Sequence, residues 1–318
     1  MNLNLVLLST SVILTFLLLN KIQKIFLEKN LIDKVINRSS HKVTATRNGG
    51  FGIFLNIFII SSVLYFCGIE IFDYSIIIPL SLLFIVGLYD DIYNIDFKLK
   101  FIFQIIAAKI MIDNGFIVDN LHGILGIYSL DRILAQMLTI FIILSIINAI
   151  NFIDGVDGLA ITIVSIFLIS FEYFISSDSP FFYITLIIVA SLIPLLFYNI
   201  KKKRKIFLGD SGSLFLGGLT SIYILYILSN DYLIKSSFDL NKILFVVSIF
   251  IYPIVDIIRI VIVRISSGKS PFEADKNHIH HIVLNKVESH LKTTAIISIL
   301  SVLSIILFQL LNNFIDLS

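Results

Sequence analysis

Four groups of polar residues interrupt an otherwise apolar chain, and their side chains are of the types that handle metal ions and phosphates. Asp90-Asp91 supplies two adjacent carboxylates, which sit poorly at a helix C-terminus and so ask for a cationic neighbour. Asn148, Asn151, Asp154 and Asp157 recur every three residues, with Gly155 and Gly158 beside the acids; on helical geometry they form one polar stripe. Gly209-Asp210-Ser211-Gly212-Ser213 opens an apolar run, which suits either a plain N-cap or a carboxylate and free N–H groups facing a phosphate. His278, His280 and His281 place three imidazoles in four residues. With no cysteine nearby and Asp275 the nearest acid, they fit phosphate ligands or proton donors better than a zinc site. Each group has a structural alternative: a solvated helix end, a cap, or, for the basic run 201–205, an anchor to anionic lipid.

The elements that must position these groups are membrane helices. Of 318 residues, 57% are hydrophobic and only 14% charged, which excludes an ordinary soluble domain. Runs such as 6–19, 138–147 and 243–254 are almost continuously apolar, unlike the alternation of a membrane β-barrel. The expected fold is an all-α polytopic membrane protein, a single domain over 1–318. Ten spans are expected, near 3–21, 50–67, 73–89, 98–113, 132–150, 158–176, 181–198, 212–229, 241–264 and 294–314. Span four is the weakest, because it carries Gln104 and Lys109. The first run lacks a preceding basic segment and a cleavage site, so it reads as a retained helix with its N-terminus outside. That orientation puts 20 of the 24 Lys and Arg residues in inward segments, as the positive-inside rule requires. Parity then brings all four polar groups to the cytoplasmic face. A carboxylate at a membrane boundary is costly unless something uses it, and this convergence is the functional signal. The lone Cys67 rules out an internal disulfide, the longest non-apolar stretch, 265–294, leaves no room for a soluble domain, and no nucleic-acid partner is expected.

Two partial matches fail. Gly-Asp-Ser-Gly is shared with chymotrypsin-like proteases, which are soluble β-barrels; Asp154-Gly155-x-Asp157-Gly158 opens like the CDP-alcohol phosphotransferase motif, but continues differently at Leu159-Ala160-Ile161. The full ordered set is different. Asp90-Asp91, Asn151-x-x-Asp154-Gly155-x-Asp157-Gly158, Gly209-Asp210-Ser211-Gly212-Ser213, Arg264, and Gly268-x-Ser270-Pro271-Phe272-x-x-Asp275-x-x-His278-x-His280-His281 together resemble the polyprenyl-phosphate N-acetylhexosamine-1-phosphate transferase family. The His-x-His-His form, and Asn94 near the Asp pair, are closer to enzymes that prime O-antigen, capsule or teichoic acid than to the sister muramoyl-pentapeptide transferases. Thr44-Ala45-Thr46-Arg47-Asn48-Gly49-Gly50 lacks a proline and a glycine that the family tends to have in the first inward loop, which puts the rigidity of that loop in question.

The resemblance implies transfer of a sugar 1-phosphate from a UDP-sugar to undecaprenyl phosphate with release of UMP, in the bacterial inner membrane with the site facing the cytoplasm. Two anions must then meet in a low-dielectric pocket, which calls for Mg2+, or Mn2+ in its place, and for fixed positive charge. Under the resemblance Asp210 is the first metal ligand, with Asp154 joining it or holding the nucleotide alongside Asn151 and Asp157. Arg264, His278, His280 and His281 face the donor diphosphate, and the N-termini of helices two, six and eight aim positive charge at the same phosphates. Asp90 and Asp91 act on the acceptor phosphate. That phosphate has a second pKa of about 6, so a general base gains little and metal ligation or orientation is the larger role. The chain leaves open the sugar, the polymer, direct attack against a phosphoryl-aspartate, and the oligomeric state, a homodimer included. A transporter and a Mg2+-dependent prenyltransferase are the rival readings; the first lacks midplane charges and related halves, the second lacks two long Asp-rich runs.

Overall fold

Within hydrocarbon every backbone N–H and C=O must be satisfied inside its own segment, which an apolar chain achieves as helices. The computed structural model describes residues 3–33, 44–69, 73–123, 126–229, 232–238, 241–268 and 277–312. Asp275, the rest of 269–276, the segment 34–43 and the end of the tenth expected span lie outside the described residues. Eleven α-helices follow in order: α1 (Leu3–Glu28), α2 (Gly49–Phe66), α3 (Ile77–Tyr93), α4 (Phe97–Asp113), α5 (Arg132–Ile153), α6 (Leu159–Phe174), α7 (Phe182–Ile200), α8 (Gly209–Leu228), α9 (Lys242–Ser266), α10 (Ile279–Val287) and α11 (His290–Asn312). Two short strands, β1 (Ala45–Thr46) and β2 (Lys205–Ile206), pair in parallel.

The protein is thus an all-α polytopic membrane protein. Among the described residues, eight helices are long and apolar enough to cross a membrane. Of the ten expected spans, α4 and α6 fall short of that length, at 17 and 16 residues. In α4 the polar side chains are used: Gln104 exchanges amide hydrogen bonds with Asn148 on α5, and Lys109 pairs with Asp113 one turn on. The short α10, between spans nine and ten, was not expected.

The centre of the bundle is α8. Eighteen of its 20 residues are buried, because α2, α3, α5, α6 and α9 surround it. Small residues allow this approach. A Cβ on Gly50 would lie 2.0 Å from the Gly212 nitrogen, and one on Gly87 2.3 Å from the Asp210 carbonyl oxygen, so α2 and α3 touch the first turn of α8 backbone to backbone. In α9, Pro253 cannot donate to the Ile249 carbonyl, and the helix kinks at Phe250 (φ −108°, ψ 19°).

Candidate active site

The C-terminal ends of α3, α5 and α9 and the N-terminal ends of α2, α6, α8 and α10 meet at one pole, where all four polar groups gather. Asp210 is the hub. One of its carboxylate oxygens accepts from Asn151 Nδ2 at 3.0 Å; the other binds the Lys100 ammonium, which also reaches Asp90 Oδ2 at 2.7 Å. Asn151 Nδ2 is also 2.8 Å from Ser213 Oγ, which ties α5 to the first turn of α8. The other oxygen of Asp90 accepts from the Ile95 N–H at 2.8 Å, and Asn94, in the left-handed conformation, closes α3.

Asp91 plays a different part from its neighbour. Its two oxygens accept from the Asp210 and Ser211 N–H groups, both at 2.9 Å, so a carboxylate of α3 caps α8. Gly209 makes room for it: φ is +75°, and a Cβ there would stand 2.7 Å from Asp91 Oδ2.

The expected polar stripe is not continuous. Helix α5 ends at Ile153, and Asp154 is its C-cap, so only Asn148 and Asn151 lie on the helix. Two glycines break it: the turn runs from Gly155 to Gly158 (φ +75°), whose N–H is taken by Asn199 Oδ1 at 2.6 Å. The four side chains consequently part ways. Asn148 faces Gln104, Asn151 faces Asp210, and Asp157 is ion-paired with Lys205, with His290 Nδ1 3.4 Å away. Lys205 is 6% exposed, so this member of the basic run is no lipid anchor.

Asp154 stays with the acidic group. Desolvation raises its carboxyl well above the usual range, and the charges of Asp210, Asp91 and Asp157 add to the rise while Arg47 opposes it. Arg47 is ion-paired with Asp33 at 3.2 Å. Burial lowers its pKa, but Asp33, Asp91 and Asp210 outweigh that and leave it raised. The loop lacking the family's proline is held instead by the β1–β2 pairing and by hydrogen bonds from the Gly49 and Gly50 N–H groups to the Phe207 and Leu208 carbonyls (3.0 and 2.8 Å).

Those bonds correct a second expectation. The leading N–H groups of α2 go to backbone carbonyls, Gly158 ahead of α6 goes to Asn199, and α8 spends two on Asp91. These helix starts do not offer those groups to a phosphate. The charge compensation for two phosphorylated reactants must come from cations.

The carboxylates fit that need. Asp90 and Asp210 share one lysine, Lys100, while Asp91 and Asp154 bring two more carboxylates to the same place, where Asp154 feels the repulsion of Asp210 and Asp91 with Arg47 opposing it. Their donors are all oxygens, the preference of Mg2+. Among the described residues no three His, Cys, Asp or Glu side chains form a ready ligand set.

The histidines come together on the other side of the Asp154 turn. His278 Nδ1 lies 2.7 Å from Asp256 Oδ2 on α9, while Asp256 Oδ1 accepts from the Ile279 N–H at 2.7 Å and so caps α10. His280 Nδ1 is 3.0 Å from the Tyr252 hydroxyl, and its ring centroid is 4.3 Å from that of His281. Burial, with His281 adding to it, lowers His280 to about 3, so the ring is neutral. It is fully buried, and of the three histidines expected at the substrate it cannot touch one in this arrangement. His281 is half-buried, and its Cε1 lies 3.4 Å from where a Cβ on Gly155 would be. Arg264 is buried in the last turn of α9.

Sequence reasoning missed Lys100, Arg47, Lys205, Tyr252 and Asp256. For Asp256 a signal existed: a carboxylate inside the apolar run of α9 needs a partner. Lys100 and Lys205 looked like topology markers.

Comparison with known proteins gives a consistent set. The model of glycosyl transferase family 4 matches residues 74–228. A Bacillus subtilis (strain 168) protein named "Probable undecaprenyl-phosphate N-acetylglucosaminyl 1-phosphate transferase" is 31% identical over 293 residues, covering 90% of this chain and 78% of its own. An undecaprenyl-phosphate alpha-N-acetylglucosaminyl 1-phosphate transferase of Haemophilus influenzae is 30% identical over 269 residues, 80% of this chain and 72% of that one. A decaprenyl-phosphate N-acetylglucosaminephosphotransferase of Mycobacterium leprae is 29% identical over 230 residues, 67% of this chain and 58% of that longer protein.

Proposed function

Because this chain belongs to glycosyl transferase family 4, we propose that its acidic pole is where N-acetylglucosamine 1-phosphate passes from a UDP-linked donor to a polyprenyl phosphate, releasing UMP. The enzyme is a membrane sugar-1-phosphate transferase. The observation that carries the site assignment is the gathering of four carboxylates, two of them paired with Lys100, at the first turn of α8.

Asp210 and Asp154 would hold Mg2+, or Mn2+ in its place, which would supply positive charge to the donor diphosphate. Asn151 and Lys100 hold the Asp210 carboxylate in place from two sides, and Asp91 fixes the backbone beneath it. Lys100 also positions Asp90, where the acceptor phosphate is oriented. That acceptor, with a second pKa of about 6, is largely a dianion near neutral pH and needs no strong base. Direct attack is favoured over a phosphoryl-aspartate. Both oxygens of Asp91 are spent on α8 and both of Asp90 on Ile95 and Lys100, so neither is a ready nucleophile. His281 and Arg264 serve the donor side.

The same reading makes undecaprenyl phosphate the acceptor and places the pole on the cytoplasmic face of a bacterial inner membrane, following the bias of basic residues. The reaction would initiate a cell-envelope polysaccharide.

The test is UMP release by purified protein given UDP-N-acetylglucosamine, undecaprenyl phosphate and Mg2+. Activity that disappears with EDTA and in Asp210→Asn supports the assignment. No UMP from any UDP-sugar, or solute uptake without UMP, overturns it. Exchange of labelled UMP into UDP-sugar without acceptor would overturn direct attack alone.

A further inference from the structure

Tyr252 and Asp256 are four residues apart on α9, so they share one face, and each holds a histidine of the same cluster. Asp256 is 2% exposed in a membrane-crossing helix, where an unpaired anion is costly. It is paired twice over, with the His278 ring and with the N–H that opens α10. A carboxylate on Nδ1 fixes the tautomer and the orientation of an imidazole.

The Tyr252 contact fixes the second ring. The Tyr252 hydroxyl and His280 Nδ1 share one hydrogen bond at 3.0 Å, which sets the plane of the ring and turns its Nε2 away from α9. Among the described residues that Nε2 is buried without a hydrogen-bond partner, and it points at the Asp154 turn, 3.6 Å from where a Cβ on Gly155 would be. His281 lies against the same glycine, and the His278 ring is 5.3 Å from Phe152. The histidines are therefore the surface on which the turn carrying Asp154 rests. His280 Nε2 beneath it is a polar atom left over by the cluster's own hydrogen bonds.

We propose that Tyr252 and Asp256 are positioning residues for the UDP-sugar: through His280 and His278 they set the pose of His281 and of the Asp154 turn against the donor diphosphate. Neither touches substrate. The inference rests on the reaction assigned above, and predicts that donor recognition depends on α9 while acceptor recognition does not.

The experiment is steady-state kinetics of the full-length protein in lipid nanodiscs, varying UDP-N-acetylglucosamine and undecaprenyl phosphate separately, for wild type, Tyr252→Phe, Asp256→Asn and Asp256→Glu. Asp256→Asn is expected to raise KM for the UDP-sugar by about tenfold, the worth of one charge-assisted hydrogen bond, with KM for the lipid within about twofold of wild type. Tyr252→Phe, which removes one oxygen and little volume, is expected to shift the same constant by a few-fold, and Asp256→Glu to recover part of the loss. The proposal is overturned if neither variant moves KM for the donor. It is also overturned if KM rises equally for both substrates, or if Asp256→Asn lacks all activity while Tyr252→Phe matches wild type. If wild type itself releases no UMP, it is the reaction assignment that fails, so the two failures are distinct.

Discussion

The carboxylate centre and the histidine platform lie side by side at one pole, yet they are built on opposite principles. Around Asp210, two acids share Lys100, two more carboxylates lie close by, and like charges face one another across α3, α5 and α8. Around Asp256, one acid meets one imidazole and one N–H, both at 2.7 Å, and the single unsatisfied atom is His280 Nε2. The first arrangement carries an electrostatic deficit that a divalent ion would relieve. The second is almost complete without any ligand. A region that waits for a cation stays frustrated without it, whereas a region that orients a hydrogen bond is best finished in advance.

The largest effect should come from the hub of the frustrated region. Asp210→Asn keeps the shape and removes the charge, and UMP release is expected to fall by about a thousandfold or more, some 4 kcal/mol of transition-state stabilisation. Circular dichroism should remain that of a helical membrane protein. If half the activity survives, the metal is held elsewhere.

Removing the cation that the acids share should come next. Lys100→Met leaves the buried Asp90 and the half-buried Asp210 without their common partner, a loss of about 3 kcal/mol in thermal unfolding. Added Mg2+ should restore more stability to this variant than to wild type, because binding to the native state stabilises it by mass action. The same addition to Asp256→Asn should show no such excess. Equal responses in the two variants would erase the distinction between the regions.

Gly209→Ala tests the hinge of the carboxylate centre. The left-handed backbone and the 2.7 Å approach to Asp91 predict a cost of about 2 kcal/mol and a matching drop in rate, measured together by unfolding and UMP assay. The smallest effect is expected from the exposed Lys203. Lys203→Ala should leave activity and unfolding unchanged, while Lys205→Ala, two residues on, breaks the buried pair with Asp157 and destabilises the protein.

That last contrast shows how far the chain could be read without coordinates. Five basic residues at 201–205 look alike on paper. Only the pairing of β2 with β1 turns Lys205 inward to Asp157. The spacing of Asn148, Asn151, Asp154 and Asp157 implied one helical stripe, and it failed because Gly155 and Gly158 end the helix, so the glycines quoted in the motif were the better guide to geometry. Asp90 and Asp91 are neighbours in the string and look alike there. Which of the two would cap α8, and which would face Lys100, depended on how α3 meets that helix at Gly87.

By itself the sequence determined a helical membrane protein whose acids and imidazoles share one pole, because apolar run length dictates helices and loop parity dictates sides. It also determined the family, since four ordered motifs survive in the linear string. The tertiary structure alone decided which charge answers which: Lys100 to Asp90 and Asp210, Lys205 to Asp157, Asp256 to His278. Ion pairs and trans caps act over a few ångströms between segments up to 120 residues apart, and no local propensity encodes such distances.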